Sequence, residues 1–317
     1  MSTTTGFHYA PTGKTLGVIC WYTIEGAWVL PDDLTKWWDE LLLDEQYLRT
    51  DLSRTEAFRR AFSPNEHRYR WSPEEGVEAT LRCEEIKLTN AARRHRLVRR
   101  IVMSRTDSQR QDIAFQTQMA EATFYKDPET MNVQVFTADP EVAPHVRQYV
   151  DELTERYERR ATHLDSDKIR GILRRYVEGM NSVMVRRGVY FVHESRRSTL
   201  DQLQDLVQRC SRGSSLHMIP LPDVPEQREM VKEAFNTEIV ESATSLLDSV
   251  TGLIRKGRGH VAKKDTDKAK EAFQDIRSRI SEYRNALGES QDRAEAALEL
   301  VEDQLIDLTD LTEEEDE

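Results

Sequence analysis

Two clusters of basic residues stand out in a chain whose formal net charge is −12. The first is RRHRLVRR at residues 93–100, and the second covers residues 168–187. Arginine and lysine side chains bind phosphate groups, so both clusters are candidate contacts for nucleic acid or another partner. The candidate contact residues are Arg93, Arg94, Arg96, Lys168, Arg170, Arg174, Arg175, Arg186 and Arg187.

The second cluster includes SVMVRRGVYFVHE, which has the pattern of two short strands joined by a turn. A basic helix followed by a hairpin with a cationic tip is the order found in winged helices, where both elements contact phosphates. The alternative is a hairpin that packs in a core, because Tyr190, Phe191 and Val192 make the second strand apolar on both sides. This pattern favours a structural hairpin over residues 182–194.

One face of this hairpin has a predicted packing partner. Strand alternation places four apolar side chains on that face, those of Val183, Val185, Val189 and Phe191. Gly188 supplies the positive φ that such tight bends often require. We expect the apolar face to pack on the flanking helices, at Ile172, Tyr176 and Leu203.

Motifs of known chemistry are incomplete in this sequence. APTGKT at residues 10–15 ends like a phosphate-binding loop, but His8 stands where that pattern needs glycine. The eight histidines form no i, i+4 metal pair, and Cys20, Cys83 and Cys210 are widely separated. We therefore assign no catalytic residue, no cofactor and no metal ligand. A cryptic metal-dependent enzyme built from distant carboxylates stays open as an alternative.

The elements that position these residues begin with an α+β domain at residues 1–138. TLGVICWYT has the pattern of a buried strand, and LPDDLTKWWDELLL and RTEAFRRAF have that of two helices. Four later segments of strand composition, from VEATLRCEEIKLT to MNVQVFTA, predict an antiparallel meander.

Residues 139–222 are expected to form a small α/β domain around the hairpin. Apolar residues at three- and four-residue spacing predict two helices before the hairpin and one after it. The pair Ser198-x-x-Asp201 predicts a capping box for the third helix, and LHMIPLP predicts a strand.

Residues 223–309 have the pattern of an antiparallel helical bundle or coiled coil. Their apolar residues alternate by four and three, and in one segment Ile276 and Ile280 lie on the buried seam while Arg279 is exposed. The acidic tail at 310–317 is expected to stay unstructured, because its composition cannot repay the entropy of ordering.

Composition indicates a cytoplasmic protein. The charged fraction is 32% and the hydrophobic fraction 38%, which suggests long exposed helices as well as packed domains. The first residues lack the apolar core of a signal peptide, and no stretch approaches the roughly 20 apolar residues of a membrane span. We therefore expect no membrane partner.

Three motifs connect the chain with a known family: LGVICWYT, RRGVYFVHESRRSTLDQLQDLV and IPLPDVPEQREMVKEAF. With these motifs it resembles an uncharacterised family of actinobacterial and actinobacteriophage proteins of similar length. The resemblance implies a domain order and a phage or prophage context. It implies no reaction, cofactor or site residue.

The sequence thus favours a non-enzymatic interaction or assembly protein. Its C-terminal helices are expected to bind a protein partner or a second copy of the chain, giving a homo-oligomer. The alternative is a nucleic-acid-binding protein that uses the basic face of the middle domain, and the second alternative is the cryptic enzyme.

Overall fold

The protein has a mixed α+β fold with antiparallel sheets, as the sequence predicts. The structure, a computed structural model, describes residues 14–107, 112–257, 263–287 and 292–313. The strands are β1 (Thr15–Thr23), β2 (Trp28–Val29), β3 (Arg68–Glu74), β4 (Val77–Glu85), β5 (Arg96–Asp107), β6 (Asp112–Lys126), β7 (Glu129–Val135), β8 (Leu164–Asp165), β9 (Val183–Arg186), β10 (Val189–His193) and β11 (Ser215–Pro222). The α-helices are α1 (Pro31–Glu40), α2 (Arg54–Ala61), α3 (Asn90–His95), α4 (Ala143–Thr162), α5 (Ser166–Gly179), α6 (Arg197–Cys210), α7 (Pro225–Gly257), α8 (Lys263–Leu287) and α9 (Asp292–Glu313).

The chain divides into two compact units, and each is discontinuous in sequence. Unit 1 comprises the described parts of Met1–Gly26, Trp38–Leu48 and Ile169–Glu317. Unit 2 comprises those of Ala27–Trp37 and Arg49–Lys168. The predicted division into domains 1–138, 139–222 and 223–309 stays a prediction, but it does not describe these two units.

Unit 2 is built on the predicted antiparallel meander. Its five-stranded sheet has the order β3-β4-β5-β6-β7, and neighbouring strands pair antiparallel. The meander predicted from the sequence did not include the first strand, β3, in which Arg68 and Arg70 alternate with Tyr69 and Trp71. This alternation is itself the pattern of a strand with one solvated face.

One face of the five-stranded sheet is covered by α2 and α4. Phe58 of α2 and Phe62, the residue that follows α2, share a buried cluster with Tyr149 and Leu153 of α4 and with residues from β4, β5 and β6. The tyrosine hydroxyl is satisfied by donating to the backbone oxygen of His67 at 2.9 Å. The predicted apolar face of α4 is therefore confirmed.

Unit 1 contains a four-stranded sheet with the order β11-β1-β10-β9. The hairpin predicted for residues 182–194 is present as β9 and β10, which pair antiparallel. Strand β1 pairs antiparallel with β10 and β11, so it does not join the meander with which the sequence had grouped it. Such pairing between distant segments leaves no local signal in a sequence.

The apolar face of the hairpin packs on a different partner from the one predicted. Val183 and Phe191 belong to a buried cluster with Val231, Phe235 and Ile239 of α7, and Val185 packs against that cluster. The expectation that this face lies on Ile172, Tyr176 and Leu203 is therefore wrong. Three of the four predicted side chains, Val183, Val185 and Phe191, share this face, but several amphipathic helices were available to cover it.

The three C-terminal helices contribute to the same cluster. It contains the heptad-spaced residues Phe273, Ile276 and Ile280 of α8 and Val301 and Leu305 of α9. These residues are buried as their spacing predicts. Helix α9 extends to Glu313, so the first four residues of the predicted unstructured tail are helical, and the remaining tail residues lie outside the described part of the chain.

Two local predictions need correction. Helix α6 begins at Arg197 and no side chain caps its N-terminus, so the predicted capping box at Ser198 is absent; Asp201 instead pairs with Arg197 at 3.1 Å, one helical turn away. Arg279 is not fully exposed, since its side chain is 20% accessible and paired with Glu238.

Among the described helices, none combines the length and apolar character needed to cross a membrane.

Candidate anion-binding cavity

The first basic cluster spans a short helix and the strand that follows it. Helix α3 is capped by Thr89, whose hydroxyl accepts a hydrogen bond from the backbone amide of Ala92 at 3.4 Å. Arg93 and Arg94 lie in its last turn, and Arg96 is the first residue of β5. All three arginines are exposed.

Arg99, which lies further along β5, is buried on the core side of the sheet. Side chains alternate along a strand, so Arg99 shares a face with Leu97 and Ile101, and both of these belong to the core cluster of unit 2. Arg99 is only 6% exposed. Its neighbour on β6 is Ala122, a small residue that leaves room for the guanidinium group.

Glu85 holds two of the arginines. It lies opposite Arg99 in the register between β4 and β5. Its Oε1 atom is 3.4 Å from Nη1 of Arg99 and 3.1 Å from Nη2 of Arg93. Nη1 of Arg99 also donates to the backbone oxygen of Val98 at 3.3 Å. One carboxylate therefore neutralises only part of the positive charge at this point.

The Nε atom of Arg99 is buried and has no hydrogen-bond partner among the described residues. A buried polar group without a partner costs free energy, and an incompletely paired buried charge costs more. Buried polar atoms in native proteins are almost always satisfied by protein, water or ligand. Arg99 shares this feature with the Nε atoms of Arg100, Arg105 and Arg279, and water or a ligand can supply the further acceptor.

These residues enclose a cavity of about 460 Å³. It is lined by Arg59, Glu85, Asn90, Arg93, Arg94, Leu97, Arg99 and Lys126. Five of the lining side chains are cationic and one is anionic, so the wall has an excess of four positive charges. Arginine presents its donors in a planar fork that matches the oxygens of a phosphate or carboxylate, so this cavity has the chemistry of an anion site.

Two of the remaining three cations have partners in unit 2. Lys126 Nζ donates to the backbone oxygen of Arg93 at 2.7 Å, which ties the end of β6 to α3. Arg59 lies on α2 and pairs with Glu56 at 3.7 Å. Arg94 forms no ion pair within the described part of the chain, so its charge is uncompensated.

Only two of the nine predicted contact residues, Arg93 and Arg94, line this cavity. Arg96 follows them as an exposed residue. Lys168 Nζ donates to the backbone oxygen of Asp51 at 3.2 Å. Arg59, Arg99 and Lys126 were not predicted as contacts. The period-two alternation that places Arg99 beside Leu97 and Ile101 was the signal that could have identified it.

The other predicted arginines lie in unit 1 and several have partners there. Arg170 donates to the backbone oxygen of Ile24, and Arg174 pairs with Glu178 at 2.7 Å. Arg175 is exposed on α5. Arg186 and Arg187 are exposed at the hairpin turn and line a cavity of about 400 Å³ together with Glu233, Glu238 and Glu241 of α7. Acidic side chains therefore offset the charge of the hairpin tip.

The three cysteines are poorly suited to nucleophilic chemistry. All three thiols are buried. Burial raises the pKa of Cys83 to about 11 and the pKa of Cys20 and of Cys210 to about 12. The thiolate, which is the reactive form, is therefore scarce at neutral pH. Among the described residues, no group of three or more His, Cys, Asp or Glu side chains is arranged to hold a metal ion.

The APTGKT segment lies outside the described residues except for its last two positions. Lys14 is exposed and its Nζ atom is 3.9 Å from a carboxylate oxygen of Asp223, and Thr15 begins β1. Thr15 pairs with Pro222 of β11 at the start of the four-stranded sheet.

Comparisons with known proteins give one match. No curated protein and no solved structure matches this chain. A family model does match, over residues 15–314, and it is described as a family of unknown function, DUF6744. The match confirms the expectation of an uncharacterised family, while the actinobacterial and phage range of that family stays a prediction. Because it covers most of the chain, the protein belongs to DUF6744, a family of unknown function.

Proposed function

We propose that this protein binds nucleic acid, and that the basic cavity of unit 2 contacts the phosphate backbone. The observation that carries the proposal is Arg99, a buried arginine with an unsatisfied Nε atom in a cavity that has an excess of four positive charges. Arginine forks bind phosphate oxygens through paired, charge-assisted hydrogen bonds. A phage or prophage context, which the family resemblance implies, belongs to the same proposal.

The outer face of the five-stranded sheet supports this choice of ligand. The face opposite the α2 and α4 helices has more arginines than acidic residues. The register places five arginines there, Arg68, Arg70, Arg82, Arg96 and Arg100, together with three glutamates, Glu78, Glu84 and Glu121. Exposed Tyr125 lies beside Arg96 in the register. A sheet face that combines arginines with an aromatic ring suits phosphates and bases together.

The overall charge of −12 does not argue against such a site. Screening in physiological salt limits electrostatic interactions between exposed charges to about 8 Å, so the local excess of cations dominates near the cavity. The acidic remainder of the chain instead weakens indiscriminate binding. We place the nucleic-acid contacts in unit 2 and not at the hairpin tip, because the arginines at the hairpin tip line a cavity with three glutamates.

Fluorescence anisotropy with a short labelled single-stranded DNA tests this proposal. We expect binding that weakens steeply with salt, and we expect Arg99→Met and Arg94→Ala each to reduce the salt slope by about 0.7, the contribution of one phosphate contact. Arg147→Ala, at an exposed arginine on α4, is the matched control and is expected to bind like the parent. Absence of binding at low salt contradicts the proposal.

Self-association through the C-terminal helices is the second candidate function. In this proposal α7, α8 and α9 form a helical bundle whose outer face meets a second copy of the chain. The supporting observation is that Leu300 and Ile306 on α9 are 61% and 56% exposed, outside the buried cluster that the three helices share. Burial of these two side chains against a second copy would remove apolar surface from water, which favours association.

Light scattering at several protein concentrations tests the second candidate. We expect an oligomer, and we expect Leu300→Ser with Ile306→Ser to convert it to a monomer without loss of helicity. Leu42→Ser is the control, because Leu42 is an exposed leucine outside these helices. A parent that is monomeric at every concentration contradicts self-association.

A further inference from the structure

The cavity in unit 2 has features that distinguish between two kinds of phosphate on a nucleic acid. An internal phosphodiester has one negative charge and two oxygens that are not bonded to carbon. A terminal phosphate monoester has a charge of about −1.5 to −2 near neutral pH and three such oxygens. The wall of the cavity has an excess of four positive charges, and a monoester neutralises more of that excess than a singly charged diester does.

The position of Arg99 limits which group can reach it. Its guanidinium lies on the core side of the sheet, in line with Leu97 and Ile101, and it is 6% exposed. Because the side chain is buried, a ligand group reaches it only through the cavity that Arg99 lines. An internal phosphate is attached to a sugar on both sides, whereas a terminal phosphate can enter with three oxygens leading.

The volume of the cavity agrees with a ligand of this size. Pockets for small ligands measure roughly 300–1,000 Å³, and this one measures about 460 Å³. Arg93, Arg94 and Arg99 approach it from the helix α3 and the strand β5, so their donors converge from two elements. The ion pairs of Glu85 with Arg93 and Arg99 fix two of these three guanidinium groups before a ligand arrives.

We infer that the cavity takes the terminal phosphate monoester of a nucleic-acid strand, with Arg99 at its base and Arg93 and Arg94 at its sides. This inference rests on the proposed function, and it narrows the ligand from nucleic acid in general to a phosphorylated strand end. The protein would then recognise an end rather than a run of backbone.

The test compares three labelled single-stranded DNAs of one sequence: a 5′-phosphorylated strand, a 3′-phosphorylated strand and a strand with hydroxyl groups at both ends. We expect one phosphorylated strand to bind the full chain at least about tenfold more tightly than the hydroxyl strand, since one set of charge-assisted hydrogen bonds is worth about that factor. A nucleoside monophosphate phosphorylated at the same position is expected to compete better than the unphosphorylated nucleoside.

Two variants and one control connect the preference to the cavity. Arg99→Met is expected to abolish the preference for the phosphorylated strand, and Arg94→Ala, at an exposed position, is expected to reduce it. Arg94→Ala keeps the test decisive even if Arg99→Met does not fold. Arg147→Ala is expected to retain the full preference.

The outcomes separate this inference from the proposed function. If all three strands bind equally and Arg99→Met weakens all of them, the protein binds nucleic acid but does not recognise ends, and the inference is wrong. If no strand binds but a nucleoside monophosphate raises the melting temperature of the parent and not of Arg94→Ala, the phosphate site stands and the proposed function is wrong. If neither strands nor monophosphates bind, both are wrong.

Discussion

The Glu238 carboxylate on α7 lies 2.6 Å from the Arg279 guanidinium on α8, and its second oxygen accepts the backbone amide of Met184 on β9 at 2.7 Å. Nη2 of Arg279 also donates to the backbone oxygen of Ser182 at 3.1 Å. Strand β9 is the edge of the four-stranded sheet. The pair therefore occupies hydrogen-bonding groups that would otherwise be open to another strand.

Arg279→Ala is expected to destabilise the protein by about 2 kcal/mol, because Glu238 loses the cation that balances a charge in a mostly buried position. Both side chains are 20% accessible, so solvent screens the pair only partly. The measurement is urea denaturation followed by circular dichroism. Arg277→Ala, at an exposed arginine of the same helix, is the control. Equal denaturation midpoints for the two variants would show that the ion pair between Arg279 and Glu238 does not stabilise the fold.

Ile280→Asp is expected to cost several kcal/mol, because an unpaired carboxylate enters an apolar layer. Ile280 is 4% exposed and belongs to the cluster shared by α7, α8 and α9. Ser281→Asp adds the same charge at the adjacent exposed position and is expected to be nearly silent. If both variants retain the helicity and melting temperature of the parent, the seam has been assigned to the wrong residues.

Periodicity in the sequence predicted which residues are buried, but not what they pack against. The seam at Ile276, Ile280 and Tyr283 could be read from spacing alone, because a helix turns through a fixed angle for each residue. Arg279 lies next to that seam in sequence, but its partner Glu238 is on another helix. No local sequence pattern could therefore predict this ion pair.

For the same reason, the sequence predicted only some of the residues that line the candidate cavity. The run RRHRLVRR identified Arg93 and Arg94, since a cluster of charges is a local feature. Arg59 and Lys126 reach the cavity from α2 and β6 through tertiary packing. Arg99 belongs to the same run, but the run does not show that Arg99 is buried, because its burial depends on which face of β5 the helices cover.

Truncation after Thr309 is expected to cost less than about 1 kcal/mol, because it retains Leu308, a fully buried residue of the shared cluster. Truncation after Asp307 removes that leucine and is expected to cost at least about 2 kcal/mol. Thermal melts of the two shortened chains provide the comparison. A large loss on removal of residues 310–317 alone would mean that the acidic tail makes stabilising contacts.

Combined Arg186→Ala and Arg187→Ala substitution is expected to leave stability within about 0.5 kcal/mol of the parent, because both residues are exposed at the hairpin turn. Under the proposed function this double variant also keeps its affinity for single-stranded DNA, since the contacts lie in unit 2. Anisotropy titration provides the measurement. Loss of binding with a shallower salt slope would move the nucleic-acid contacts to the hairpin tip.

Arg99→Met is expected to leave stability unchanged or to raise it by about 1 kcal/mol, because an apolar side chain of similar length replaces an incompletely satisfied buried cation. Glu85 keeps Arg93 as its partner and has a side chain that is 44% exposed, so it is not left as a buried charge. Ile101→Ala, on the same face of β5, verifies that the denaturation assay detects core damage, with an expected cost of about 2–5 kcal/mol. If Arg99 binds a ligand at the expense of stability, Arg99→Met should have an equal or higher free energy of unfolding and should lose binding. If Arg99→Met instead costs as much as Ile101→Ala, Arg99 is a structural tie between β5 and Glu85, and its buried Nε atom no longer argues for a ligand.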